Sequence, residues 1–280
     1  MKTGVILEGG GLRGIYTAGV LDEMYKDNPK INTIIGVSMG SLIGVNYLSN
    51  QPGRAIRYNL KYCKNPKYIG LTSLLTTGNI ANKKFAYYDI PKKLDKFDYK
   101  TYKKSKIKFY TVLTNVETGE AEYHQIKDAN KEIEILRASS SIPGVSKIVT
   151  IKRKKYLDGG VADSIPIKYA LSEKYDKIVL VLTREKTYRK EEKISKFLKY
   201  KYRKYPNFLD RLEKRGKEYN ETLKLINKLE KEGKIFVIRP SEKIKIKRIE
   251  HNRKTIKAQY DLGIKDYQNK RKKLLAYLKK

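Results

Sequence analysis

Residues 34–44 read IIGVSMGSLIG, with Ser38 held between Gly36 and Gly40 where a β-branched apolar run gives way to an apolar helical one. That spacing is the pattern of a nucleophile elbow, in which the chain leaves a strand, turns sharply and enters a helix. Flanking glycines are needed because side chains there would strike the neighbouring strand and helix, while the tight turn pushes the hydroxyl outward. A serine hydroxyl is a poor nucleophile without a base. The usual base is histidine, and the chain has two, His124 and His251.

Outward from the elbow, strand and helix patterns alternate. TGVILE (3–8) reads as a first strand, RGIYTAGVLDEMYK (13–26) as a helix, INTIIGV (31–37) as a second strand and MGSLIGVNYLS as the helix after the elbow, together a βαβ unit. KIKFYTVLTNV (106–116) and AEYHQI (121–126) predict a hairpin about ETGE. KEIEILRASSS predicts a helix and KIVTIKRKKYLDGG a second hairpin. DKIVLVLT (176–183) is a continuous apolar run, as in a strand buried on both faces. Beyond residue 184 the chain is charged and helical to about 232, then GKIFVIRP (233–240) offers one more strand before a basic helical tail. Residues 54–105 carry no guiding motif, and SLLTTGNI and FAYYDIPKKL within them read as wall or lid.

Charge is the outlying property: 63 Lys and Arg against 30 Asp and Glu give +33 over 280 residues. Such a balance favours polyanions, nucleic acid or anionic lipid, but it is equally the mark of a biased composition with lysines spread over solvated faces. No recognised nucleic-acid-binding motif is present, so nucleic acid is not an expected partner. No apolar run reaches 18 residues, and MKTGVILEGG enters a strand directly, without a signal-peptide core. The expectation is a soluble, unexported, cytoplasmic protein. Cys63 is the single cysteine and makes no metal cluster with two distant histidines. With no calcium loop or cofactor motif either, no metal or cofactor is expected.

The first loop, EGGGLRG (8–14), satisfies G-x-G-x-x-G through Gly9, Gly11 and Gly14. A dinucleotide site also needs an acidic residue near the end of the second strand, where TIIGVS has none, and the absence of G-K-[ST] removes a P-loop. What remains is a loop of backbone N–H groups at a helix N-terminus, able to stabilise an oxyanion or serving only as a tight turn. Three consecutive glycines beside a serine elbow favour the oxyanion hole.

For the base, His124 lies in the alternating run AEYHQI and His251 in the charged IEHNRKT, neither with a local signature. Asp158 ends an apolar strand in YLDGG, where Gly159 and Gly160 let the backbone reverse. An aspartate in a partly desolvated cleft can act as general base directly. The same Asp-Gly pair is also a common turn, and the residues alone leave both readings open.

The ordered trio GGGLRG (9–14), GVSMG (36–40) and DGG (158–160) resembles the patatin-like phospholipase family, and RASSSIPGV (137–145) is similar to that family's serine and proline segment. The resemblance covers residues 1 to about 183. It implies a three-layer αβα fold with a mainly parallel sheet and an acyl-hydrolase core over 1–183; the charged remainder, 184–280, is expected as a basic helical extension with one further strand, packed on that core. It implies a Ser-Asp dyad in which Ser38 attacks an ester carbonyl and Asp158 takes its proton. Gly9, Gly10 and Gly11 would hold the oxyanion, with Met39 after the nucleophile. Gly14, Gly36, Gly40, Gly159 and Gly160 support the turns. Arg13 matches the basic position of the first motif, its alternative being a surface pair with Glu8 or Asp22. The implied activity is lipid acyl hydrolysis of phospholipase A or lysophospholipase type. A hydrolase of another soluble ester or thioester, and a low-turnover lipid-binding regulator, are the alternatives. The expected partners are a lipid or lysophospholipid substrate and an anionic membrane, met through basic amphipathic helices at 184–204 and 270–280.

Overall fold

The computed structural model describes residues 1–191, 193–243 and 245–279. Among these residues eight strands make one sheet: β1 (Thr3–Leu7), β2 (Thr33–Val37), β3 (Lys108–Asn115), β4 (Ala121–Gln125), β5 (Val149–Ile151), β6 (Lys154–Asp158), β7 (Lys177–Val181) and β8 (Phe236–Ile238). The path across it is β5-β6-β3-β2-β1-β7-β8, with β4 also paired to β3. Pairings among β3, β2, β1, β7 and β8 are parallel, while those of β4, β5 and β6 are antiparallel. β1 and β2 are buried at every position, which is why their sequences are continuous apolar runs rather than alternating ones.

Among the described residues ten α-helices accompany the sheet: α1 (Ile15–Asp27), α2 (Met39–Leu48), α3 (Arg54–Tyr62), α4 (Leu71–Thr77), α5 (Tyr99–Lys104), α6 (Ile133–Ser139), α7 (Ile167–Ser172), α8 (Lys196–Lys201), α9 (Pro206–Lys231) and α10 (Arg253–Lys279). A π-helical segment, Phe85–Leu94, lies between α4 and α5. Local chemistry sets several ends. Asn28 stops α1 in the left-handed conformation, Asp98 caps α5 by accepting from the Thr101 N–H, and α9 starts on Pro206.

Alternate residues of the central strands feed two cores. Val5, Leu7 and Ile34 pack with α1, α2, α3 and α10, whereas Ile6, Ile35 and Leu180 pack with α7 and α9. The result is three layers, helices on both faces of a mainly parallel sheet. The C-terminal segment belongs to this packing, since β8 extends the sheet beside β7 and α10 lies along α1.

One expectation needs correction. Within 184–204 only Lys196–Lys201 is helical, although Glu192 falls outside the described residues. The aromatic side chains of this stretch do not share one face: Tyr188 meets Tyr219 edge-on and Tyr202 is buried against Phe208, while Phe197 and Tyr200 stand exposed. Residues 270–279 are helical as expected, the end of α10, but Leu274 is fully buried and the Tyr277 hydroxyl is held by the Ile178 N–H and Lys234 carbonyl. That apolar face is already used by the core. Lys280 lies outside the described residues.

Candidate active site

β2 and β6 bring the site together. Lys108 N–H reaches the Asn32 carbonyl and Val116 N–H reaches the Lys155 carbonyl, so β2 and β6 occupy the same edge of β3 in succession. β2 runs up to the level of Val112 and β6 runs down to Leu113, so their carboxyl ends meet head to head. Ser38 follows the one and Asp158 ends the other. The Ser38 hydroxyl donates to Asp158 Oδ2 at 2.7 Å, 120 residues away in sequence.

Each partner is fixed by its own turn. Ser38 has φ +54° and ψ −121°, a conformation L side chains rarely adopt. Its N–H is held by Ser139 Oγ at 3.0 Å, and Ser139 in turn contacts Ser41, which is bonded to Thr111. A Cβ at Gly36 would lie 2.7 Å from the Ser41 backbone, and one at Gly40 2.5 Å from the Leu7 carbonyl. Both glycines are therefore required for the helix to start directly over the strand. Asp158 is held through its N–H on the Ser141 carbonyl, its carbonyl on Thr114 Oγ1, and Oδ1 on the Gly160 N–H at 2.8 Å. A Cβ at Gly159 would meet the Val112 carbonyl at 2.0 Å.

Ser38 and Asp158 are 6% and 7% exposed. Burial pushes the Asp158 carboxyl above the usual carboxylate range, opposed by the Ser38 hydroxyl, Arg215, the Gly160 N–H and Arg248. The carboxylate therefore has a raised proton affinity. Gly9 lies against Ser38, and among the described residues the N–H groups of Gly9, Gly10 and Gly11 have no hydrogen-bond partner. Gly11 sits at φ +59°, opening the turn from which Gly11–Gly14 passes into α1. Gly14 leaves room for the Met39 side chain, and Met39 opens α2, whose N-terminal end faces the same loop.

The histidines lie elsewhere. His124 bonds Glu122 at 3.1 Å beside Tyr156, and His251 rests on the Cys63 carbonyl. Among the described residues Arg13 forms no surface pair: Glu8 is taken by the Thr183 N–H and the Tyr219 hydroxyl, and Asp22 by the Gly53 N–H and the Tyr260 hydroxyl. Burial, and then Arg184 and Arg248, bring the Arg13 guanidinium down to about 10.

Two cavities open on Ser38. The first is apolar, with Leu42, Val45, Ile90, Phe97, Ile133 and Leu136 in its wall. Ile80 from SLLTTGNI and Ala86, Tyr87, Ile90 and Pro91 from FAYYDIPKKL line it as well, so both segments read as wall or lid do form wall. The second is polar and holds Asp158, the glycine loop and the cations Arg13, Arg184, Lys190, Arg215 and Arg248. Sequence reasoning singles out Arg13 alone among these. In a chain with 63 basic residues, four more scattered over 184–248 carry no local signal.

A serine hydroxyl bonded to a buried aspartate at the carboxyl ends of a mainly parallel sheet, beside a glycine loop, defines a class of three-layer α/β proteins. The chain belongs to the patatin-like phospholipase family, whose family model matches residues 5–171. Residues 205–279 match a domain of unknown function, DUF6363. Among curated proteins the chain is 27% identical to the uncharacterized protein YjjU of Escherichia coli over 65% of its own length and 52% of that protein. It is also 27% identical to lysophospholipase nte1 of Aspergillus niger, over 60% of this chain and 11% of that one. The chain thus spans about half of the first relative and about a tenth of the second. The solved structure of VipD from Legionella pneumophila aligns with 96% of this chain and 67% of its own at 13% identity and a TM-score of 0.42.

Proposed function

We propose that the chain is a serine acyl hydrolase that cleaves lipid carboxylic esters, of phospholipase A or lysophospholipase type, through a Ser38–Asp158 dyad. The observation that carries this reading is the 2.7 Å bond from Ser38 to Asp158 at the mouth of an apolar cavity. The lysophospholipase relatives and the family match support it.

In this mechanism Asp158 takes the Ser38 proton as Oγ attacks the ester carbonyl. The negative oxygen is held by the N–H groups of Gly9, Gly10 and Gly11 with that of Met39. The proton passes to the departing alcohol, leaving an acyl-Ser38 ester; Asp158 then draws a proton from the water that attacks this ester and returns it to Ser38 Oγ as the acid departs. The acyl chain lies in the apolar cavity. Residues 1–183 serve as the hydrolase core and 184–280 as a packed extension whose exposed lysines meet an anionic membrane surface.

The test is hydrolysis of a panel of phospholipids, lysophospholipids, neutral esters and acyl-CoAs. Ser38→Ala and Asp158→Asn should each lower turnover by several orders of magnitude, and the double variant should cost little more. His124→Ala and His251→Ala should stay within a few-fold. Large loss in either histidine variant, with the circular dichroism spectrum intact, would sink the dyad.

A further inference from the structure

The polar cavity beside Ser38 gathers five cations from four parts of the chain: Arg13 after the glycine loop, Arg184 and Lys190 after β7, Arg215 on α9 and Arg248 ahead of α10. Four of the five lie outside the matched span 5–171. Among the described residues none of them forms a salt bridge. Arg13 Nε and Arg215 Nε are buried with no hydrogen-bond partner among those residues. The two carboxylates present are engaged, Glu8 by Thr183 and Tyr219 and Asp158 by Ser38 and Gly160. Like charges gathered in a partly buried cleft cost free energy unless an anion completes them. Lys190 shows the cost: burial first, and then Arg215 with Arg248 and Arg13, bring its ammonium down to about 6 against the pull of Glu8, so it carries its charge at neutral pH once an anion joins it.

The shape of the cavity narrows the anion. A choline group needs open aromatic faces. Here Tyr188 carries Arg184 at 4.2 Å from its ring centre and Tyr219 carries Lys190 at 4.0 Å. A quaternary ammonium would therefore meet cations in place of rings. Arginines suit phosphate oxygens, which they can bind in pairs of parallel hydrogen bonds. Ser38 lines both cavities, so one molecule can place an acyl chain in the apolar one, its ester at the hydroxyl and its headgroup among the cations.

We propose that Arg13, Arg184, Lys190, Arg215 and Arg248 form a headgroup subsite for acyl lipids ending in a phosphate monoester, in preference to choline-bearing or uncharged ones. This rests on the acyl-hydrolase reading above. Binding is measured by calorimetry on Ser38→Ala protein, which cannot turn over, with dodecyl phosphate, dodecylphosphocholine and inorganic phosphate as probes below their micelle concentrations. Dodecyl phosphate should bind at least tenfold tighter than either other probe, and Arg248→Gln, at an exposed position, should reduce that affinity several-fold. Lys190→Met with Arg248→Gln should abolish the preference while the melting curve stays cooperative. Equal binding of the phosphate and phosphocholine probes, or a preference untouched by these variants, overturns the subsite. Inorganic phosphate binding as tightly as dodecyl phosphate assigns the cations to free phosphate and overturns the lipid headgroup. Wild-type protein is assayed in parallel on a monoacylglycerol phosphate and a monoacylglycerol. Selective binding with no hydrolysis of either ends the hydrolase reading alone, and hydrolysis without selectivity ends the subsite alone.

Discussion

Burial and the neighbouring groups act on the proton affinity of Asp158 in opposite senses. Burial raises it, because the carboxylate loses water, while the guanidinium of Arg215 favours the charged form. In the proposed mechanism the free enzyme needs Asp158 ionised, so activity rises with pH as the proton leaves, and the acid limb of kcat/KM lies above the ordinary carboxylate range. Arg215→Gln removes the lowering charge. The acid limb for a small neutral ester should then move to higher pH, and a limb that stays put or moves lower would separate Arg215 from the base. Ser38, Asp158 and their glycines are legible in sequence because each answers a backbone demand, such as the 2.0 Å that would separate a Gly159 Cβ from the Val112 carbonyl. Arg215 answers none, so its place beside Asp158 has no signature along the chain. Ser139 is intermediate: RASSSIPGV marks the segment, but only the fold puts this hydroxyl under the Ser38 N–H.

At the scale of elements, α1 and α10 cross with their backbones in near contact. A Cβ on Gly19 would lie 2.1 Å from the Tyr260 carbonyl, and one on Gly263 2.1 Å from that of Tyr16. Polar bonds run along the same crossing, from Tyr260 to Asp22, Tyr16 to Asp266, and Tyr267 and Arg271 to Asp27. Glycine to alanine inside a helix ordinarily gains about 1 kcal/mol. Here the methyl must push two helices apart, and overpacking costs about 1–3 kcal/mol, occasionally more. Gly263→Ala should therefore lower the urea midpoint, and an unchanged or higher midpoint would show that the crossing yields freely. Strands and the long helices are readable from their apolar runs. The helical segments of 54–105 are not, because they are short and Phe85–Leu94 is π-helical with Pro91 inside it, so its apolar side chains do not follow the 3.6-residue period of an α-helix. Residues 184–204 mislead for another reason, since Arg184 and Lys190 turn to a cleft and Tyr202 to the core.

For the whole molecule the question is what a charge of +33 does. Among the described residues no helix is long and apolar enough to cross a membrane. Exposed apolar side chains nevertheless stand on short helices near the cavities: Leu71 and Leu75 on α4, and Phe197 and Tyr200 on α8. Ile69 and Ile80, flanking α4, line the apolar cavity, and Leu198 and Phe197 pack over Gly144, next to the lining residues Ile142 and Pro143. Lysines around α8 can hold this side against an anionic surface, each contributing about 1 kcal/mol, while the rings rest at headgroup level. Binding to vesicles should rise with the fraction of anionic lipid and fall as salt screens it. Reversing Lys193, Lys196, Lys199 and Lys204 to Glu should weaken that binding at least tenfold and leave hydrolysis of a small soluble ester as it was. Equal binding to neutral and anionic vesicles at low salt would make the charge a matter of composition, and the lipid would then have to reach Ser38 without a docked surface.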